Sequence, residues 1–342
     1  MRVGILTGGG DAPGLNGIIE ATTKTLLQQG HEVVGIHDGF LGVFEKRTKL
    51  LTKEDVEGIH AEAGTILGTT NRYGTEGREE EFLDKYAELK LDGLVVAGGD
   101  GTFRGLQKFG DKIKIIGAPK TIDNDLSGTE ITFGFDTACS VVAEAVDALR
   151  ATANAHGRIV VVEAMGRTAG WMALGGGLAA YADAILIPEM PFDRDKLLTF
   201  IKNKINAGQR GIILVVSEGA HAQGQDRTVA FEVKGSPQEE RLGGISERVA
   251  RWLELETGTE ARHVILGHLQ RSRNPTTTDR FLTLSMGVAI GRLVAEGEWG
   301  NAVVYRNGRI VKAPLIDVTG DARLVEPDHR WVRLAKAVGI YI

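Results

Sequence analysis

Short, unbroken apolar runs recur along the chain, each closed by glycine, proline or a polar residue. They are Val3–Leu6, Val33–Ile36, Leu94–Ala97, Ile113–Ile116, Ile159–Val162, Ala184–Ile187, Ile212–Val216 and Val264–Leu266. Runs without in-out alternation predict strands covered on both faces, as in parallel sheets. Helical periodicity lies between them. Over 137–155, Val141, Val142, Ala145 and Leu149 stand against Glu144, Asp147 and Arg150. Strands and helices in alternation predict an α/β fold of doubly wound, mainly parallel sheets in a two-lobed body. The polar stretch from His221 to Glu240 predicts a surface insertion. The uncharged stretch from Thr168 to Ala182 is too short and too glycine-rich to span a bilayer, and predicts a buried helix.

Composition narrows the picture. The 342 residues are 42% hydrophobic and 25% charged, which excludes a disordered or collagen-like chain. Glycine is high, at 46 residues, and proline low, at 8. That balance suits tight turns and close backbone approach better than linkers. The net charge of −5 provides no basic field for nucleic acid. The single cysteine, Cys139, excludes an intrachain disulfide and reads as a small apolar residue inside a helix. The N-terminus opens on a strand pattern with no signal-peptide character, so the expected location is the cytoplasm.

In parallel α/β folds, ligands bind at the carboxyl ends of strands. The segments that follow the runs are therefore the place to look. They are Gly8-Gly9-Gly10-Asp11, Gly98-Gly99-Asp100-Gly101-Thr102, Lys120-Thr121-Ile122-Asp123-Asn124-Asp125, Glu163-Ala164-Met165-Gly166-Arg167, Ser217-Glu218-Gly219 and Gly267-His268-Leu269-Gln270-Arg271. Glycines, carboxylates and arginines gathered at strand ends predict one lined cleft. Glycine loops let backbone N–H groups approach phosphate, although a glycine turn is as often only a turn. Neither loop is a dinucleotide fingerprint or a P-loop. Asp100, between glycines, suits Mg²⁺ held with phosphates and water, the alternative being a helix cap. Asp123 and Asp125, two residues apart, share one side of an extended segment, and close carboxylates raise one pKa enough to take a proton. Arg72, Arg158, Arg167, Arg262 and Arg271 suit an anionic ligand. Together these residues spell phosphoryl transfer.

The segments 9–16 (GGDAPGLN), 98–102 (GGDGT), 119–125 (PKTIDND), 165–171 (MGRTAGW), 217–220 (SEGA) and 266–271 (LGHLQR) resemble the 6-phosphofructokinase family, in that family's order over most of the chain. The resemblance implies two Rossmann-like lobes with helices on both sides of each sheet and an active site in the cleft between them. The phosphoryl-donor lobe is expected at 1–136 plus about 256–300, and the fructose 6-phosphate lobe at about 137–255 plus 301–342. It implies transfer of the γ-phosphoryl of ATP to the 1-hydroxyl of fructose 6-phosphate, with Mg²⁺. Asp123 is then the general base, supported by Asp125. Asp100 is the metal ligand, and Arg167 stabilises the transferring group. Gly10, Arg72, Gly99, Asp100, Gly101, Thr102 and Lys120 hold the donor. Thr121, Asp123, Met165, Gly166, Arg167 and Glu218 contact the sugar. His268, Arg271, Arg158 and Arg262 take the 6-phosphate, the last two from a neighbouring subunit, which implies a homodimer or homotetramer. No nucleic acid or membrane partner is expected.

Two residues pull the donor reading in opposite directions. Gly101 is the ATP-type residue, because a side chain there would occupy the space of the α-phosphate. Lys120 is the pyrophosphate-type residue. We weigh Gly101 more heavily, since a clash excludes ATP whereas a lysine merely tolerates pyrophosphate. The resemblance also departs from its pattern. Glu20 and Lys24 stand where the family's effector site has two arginines, so control by ADP and phosphoenolpyruvate is expected to be weak or absent. Ser272-Arg273 replaces a glycine pair. Two other classes remain: a GGDGT kinase acting on NAD or lipid, which leaves the other motifs unexplained, and a non-catalytic sugar-phosphate-binding paralogue, which would not need Asp100, Asp123, Asp125 and Arg167.

Overall fold

The computed structural model describes residues 1–70, 74–232 and 240–342. The chain divides into two compact units, 1–137 with 271–322 and 138–270 with 323–342.

The first unit contributes β1 (Arg2–Thr7), α1 (Leu15–Gln28), β2 (Glu32–Ile36), α2 (Phe40–Phe44), β3 (Thr48–Leu51), α3 (Glu79–Glu88), β4 (Gly93–Gly98), α4 (Asp100–Gln107) and β5 (Ile115–Pro119). The long α5 (Phe135–His156) leads on to the second unit, with β6 (Ile159–Ala164), α6 (Trp171–Ala179), β7 (Ala184–Leu186), α7 (Arg194–Asn206), β8 (Ile212–Ser217), β9 (Val229–Glu232), β10 (Glu240–Leu242), α8 (Ile245–Thr257) and β11 (Ala261–Ile265). The chain returns with α9 (Thr277–Glu296), β12 (Asn301–Arg306) and β13 (Arg309–Pro314), and α10 (Arg330–Ala337) closes the second unit.

The first sheet has the order β13-β12-β5-β4-β1-β2-β3, with parallel pairing from β12 to β2. β1, β4 and β5 are buried along nearly their whole length because both faces are covered. On one side Leu15, Ile18, Ile19 and Leu26 of α1 pack with Leu282, Met286, Ile290 and Leu293 of α9. On the other, Phe40 and Phe44 of α2 pack with Phe82 of α3 and Phe103 of α4. The second sheet, β11-β6-β8-β7, is wholly parallel. One face of it packs on Leu197 and Ile201 of α7 and Val249 and Leu253 of α8.

Several expectations need correction. The boundaries between units fall at 270/271 and 322/323, not near 255 and 300. Hydrogen bonding gives the reason: β11 pairs with β6, which holds 256–270 in the second unit, and β12 pairs with β5, which holds the β12–β13 hairpin in the first. β3 and β13 are antiparallel edge strands that the apolar runs did not show, since both are largely exposed and carry charged residues. β11 is an edge strand rather than a buried one, and Ile265 is half exposed. β5 begins two residues later than its run. In the polar insertion, β9 and β10 pair antiparallel; residues 233–239 lie outside the described residues. Cys139 lies in α5, and the uncharged stretch forms the largely buried α6. Among the described residues no helix is long and apolar enough to cross a membrane.

Candidate active site

Each unit carries its own set of candidate residues at the carboxyl ends of its strands. In the first unit, the loop after β1 is tied down through Gly8, whose N–H donates to the Ala97 carbonyl at 2.9 Å. The Gly9 carbonyl accepts from Thr69 Oγ1 at 2.5 Å. After β4, Asp100 opens α4, and the Thr102 and Phe103 amides donate back to Gly99. Asp100 pairs with Arg104 one turn on, Nε to Oδ1 at 2.7 Å. Partial burial pushes its carboxyl above the usual range, and Arg104 opposes that. Thr102 is buried, and a Cβ on Gly8 would lie 2.6 Å from its methyl, so it packs the two glycine loops together. A Cβ on Gly101 would meet nothing within 4 Å, so open space lies beyond it. Arg72 lies outside the described residues.

The loop after β5 is built around Asn124. Its side-chain oxygen accepts from the Thr132 amide at 2.9 Å, and Thr132 Oγ1 donates to the Thr121 carbonyl at 2.7 Å. The Asp123 amide donates to Thr121 Oγ1 at 3.1 Å. Asn124 is left-handed at φ 53°, a conformation asparagine tolerates better than most residues. The turn holds half-buried Asp123 and Asp125 on either side of it. Lys120 is almost fully buried, and its Nζ donates to the Gly10 carbonyl. Burial, with Arg271 beside it, pushes its pKa down to about 7, while Asp11, Asp123 and Asp125 pull it back.

Arg271 is expected among the sugar-phosphate residues. Within its unit it stands at the glycine loop. Its Nη1 donates to the Asp11 carbonyl at 2.6 Å, and a Cβ on Gly10 would lie 3.0 Å from it. The reason is local: a backbone carbonyl turned out by the glycine loop is a ready acceptor for a guanidinium.

In the second unit, Met165, Gly166 and Arg167 follow β6, and Glu218 and Gly219 follow β8. Arg167 is exposed and left-handed at φ 49°. Its amide donates to Glu218 Oε1 at 2.9 Å, and the Glu218 amide donates to the Ala164 carbonyl at 2.8 Å. A Cβ on Gly219 would lie 1.9 Å from the Arg167 carbonyl, so only glycine lets these two loops touch. Non-glycine residues held in this region cost free energy, and such strain gathers at functional sites. Two supporting residues escaped the sequence reading. Gln270, fully buried, accepts from the Met165 amide at 3.3 Å and donates to the Gly267 carbonyl at 3.0 Å, tying the exposed His268 turn to the Met165 loop. Glu163, buried in β6, accepts from the Gly244 and Ser246 amides and from Ser246 Oγ, capping α8. Both lie within segments quoted above; a carboxylate directly after an apolar run was the signal for Glu163.

Arg158 and Arg262 lie elsewhere. Arg158 precedes β6 and Arg262 sits near the start of β11. Both bind Glu260, Arg158 through Nε at 2.6 Å and Arg262 through Nη2. They stand at the amino end of the strands whose carboxyl end carries Met165 and Arg167. β6 has six residues, so at about 3.3 Å per residue the two groups are roughly 20 Å apart within this unit.

On α1, the Glu20 carboxylate is buried and accepts from Lys24 Nζ at 2.7 Å and from the His60 amide at 2.8 Å. Burial opposes its charge, but Lys24, His60 and the Gly58 amide hold its pKa at about 2. An anion already occupies this stretch of helix, and Lys24 is further paired with Glu57.

Backbone amides at strand ends and a guanidinium hold phosphate, a carboxylate at a helix start holds a divalent cation, and paired carboxylates accept a proton. An α/β fold furnished in this way is equipped for phosphoryl transfer. The comparisons with known proteins specify it: residues 2–294 match the phosphofructokinase family, and the chain belongs to that family. It is 40% identical to the ATP-dependent 6-phosphofructokinase 2 of Clostridium perfringens, over 99% of this chain and 97% of that one. It is 41% identical to the pyrophosphate–fructose 6-phosphate 1-phosphotransferase of Amycolatopsis methanolica, over 96% of this chain and 97% of that one. Among solved structures, Pichia pastoris phosphofructokinase in the T-state aligns with a TM-score of 0.82 and 31% identity, covering 93% of this chain and 35% of the longer yeast chain.

Proposed function

We propose that this protein is an ATP-dependent 6-phosphofructokinase: it transfers the γ-phosphoryl of ATP to the 1-hydroxyl of fructose 6-phosphate, giving fructose 1,6-bisphosphate. The observation that carries the reading is the Asn124-centred turn, which holds Asp123 beside a glycine cradle in a chain of this family. Asp123 takes the proton of the 1-hydroxyl as its oxygen attacks the γ-phosphorus, and ADP leaves. Asp125 supports that charge. Gly10, Gly99, Gly101 and the start of α4 hold the donor, with Arg72 added by resemblance. Met165, Gly166, Arg167, Thr121 and Glu218 hold the sugar, and Arg167 offsets charge on the moving phosphoryl. His268 takes the 6-phosphate, joined by Arg158 and Arg262 of a neighbouring subunit. Arg271, at the glycine loop, faces donor phosphate or substrate phosphate.

Phosphofructokinases generally use Mg²⁺. Among the described residues no three His, Cys, Asp or Glu side chains gather as a metal cage. A single carboxylate such as Asp100, at the start of α4 directly after the glycines, fits Mg²⁺ bound mainly by phosphates and water. When bound, the ion neutralises charge on the transferring group.

Relatives named for ATP and for pyrophosphate are about equally similar, so identity does not choose the donor. Two observations favour ATP. The space beyond Gly101 is open. Lys120 is buried, and its ammonium is tied to the Gly10 carbonyl rather than standing free as an extended clamp for a small anion. The test is a coupled assay of fructose 1,6-bisphosphate formation with Mg·ATP and Mg·pyrophosphate side by side. Turnover with ATP alone is expected; turnover with pyrophosphate alone would reverse the donor assignment. Because Glu20 occupies the helix face where an effector anion would sit, the same assay is expected to give a fructose 6-phosphate curve that ADP does not change. A sigmoidal curve straightened by ADP would refute that.

A further inference from the structure

We infer that Glu260 is a positioning residue for fructose 6-phosphate: it holds Arg158 and Arg262 as a preformed pair aimed at the substrate's phosphate. The inference rests on the phosphofructokinase reading and deepens it.

Glu260 immediately precedes β11 and Arg158 immediately precedes β6. These strands run parallel with Ala261 opposite Ile159, and the Ile159 amide donates to the Glu260 carbonyl at 3.0 Å. The two side chains therefore leave neighbouring strands at the same level. Glu260 Oε2 accepts from Arg158 Nε at 2.6 Å, and its other oxygen accepts from Arg262 Nη2. One carboxylate thus joins two guanidinium groups, and the two arginines hold its pKa below the usual carboxylate range.

The edge of Arg158 that Glu260 uses matters. A guanidinium gripped at Nε keeps its terminal nitrogens, the pair that matches phosphate bidentately. Arg262 is held differently, by both terminal nitrogens, Nη2 on Glu260 and Nη1 on the Ala261 carbonyl at 2.9 Å, so each has one further N–H to offer. Without Glu260, two like charges on adjacent strands would repel, and each long side chain would have to be ordered when substrate bound. Holding them beforehand removes part of that ordering cost.

Two physical effects predict opposite signs for loss of the carboxylate. Simple electrostatics says that removing a negative charge beside a phosphate site tightens binding. Preorganisation says that binding weakens. Steady-state kinetics of wild type, Glu260→Gln, Glu260→Ala and Glu260→Asp, with melting temperatures, separates them. The expected result is a KM for fructose 6-phosphate raised about tenfold in Glu260→Ala and less in Glu260→Gln, which keeps one acceptor. The kcat and the KM for ATP stay within about twofold, and Glu260→Asp recovers part of the affinity. A KM that is unchanged or lower overturns the inference, as does a parallel fall of kcat, melting temperature and both affinities, which marks a structural role alone. Failure of the underlying reading looks different: the wild type itself would neither turn over nor be stabilised thermally by fructose 6-phosphate.

Discussion

At the residue scale, chemistry concentrates where the backbone is least ordinary. Asn124 and Arg167 are both left-handed, and each sits beside a group proposed to act on the substrates. Asp123 has its backbone fixed by neighbouring side chains, its own amide donating to Thr121 Oγ1 and the Thr132 amide to Asn124 Oδ1. Asp123→Ser is expected to lower kcat by at least about 10²-fold, with little change in the KM for fructose 6-phosphate. A loss below about tenfold, measured in the coupled assay, would remove it as the base. The residue types at this site were legible in the sequence because they follow a run that ends abruptly in Pro-Lys-Thr. The partners were not. That Lys120 bonds Gly10, 110 positions away, depends on β1 and β5 lying in one sheet, and Arg271 reaches the same loop from a segment still further along the chain.

At the element scale, the fold repeatedly caps a helix with a buried carboxylate from another element. Glu163 caps α8. Asp279 of α9, fully buried, accepts from the Gly134 amide at 2.9 Å, the Thr137 amide at 2.9 Å and Thr137 Oγ1 at 2.5 Å, and so fixes the start of α5. Three buried donors lose their partner in Asp279→Ala, each worth about 1–3 kcal/mol when left unmet. Its apparent melting temperature is therefore expected to fall by several degrees, read by calorimetry; a change within about 1 °C would deny the cap its role. Burial also raises the Asp279 pKa to about 6, above its unfolded 3.8. The stability linked to that raised value is present below 3.8 and is lost as pH climbs through 6. The loss in melting temperature from pH 4 to pH 7 should accordingly be smaller in Asp279→Asn than in wild type. Such caps are hard to read from sequence, since an acid inside an apolar pattern looks the same whether it caps a helix or binds a ligand.

At the scale of the whole molecule, the strand order explains why one chain does not gather every proposed substrate group. Arg158 and Arg262 lie at the amino end of the second sheet, and Met165, Arg167 and Glu218 at its carboxyl end. If the arginines serve a neighbour's site, mixed oligomers of Arg262→Ala and Asp123→Ser subunits should regain activity well above that of either variant alone. Absence of recovery in verified mixed oligomers would mean that each subunit works by itself. The sequence by itself determined the α/β class, the positions of most buried strands, the family and the residue types that carry the chemistry. Those follow from local rules: continuous apolar runs for two-sided burial, and glycines and charges where strands end. Tertiary structure alone decided which unit owns β11 and the β12–β13 hairpin, that Lys120 and Arg271 belong to the glycine loop, and that Glu260 joins two arginines. Each of these depends on hydrogen bonds between segments far apart in the chain, and a pattern read along the chain carries no record of which strand will lie beside which.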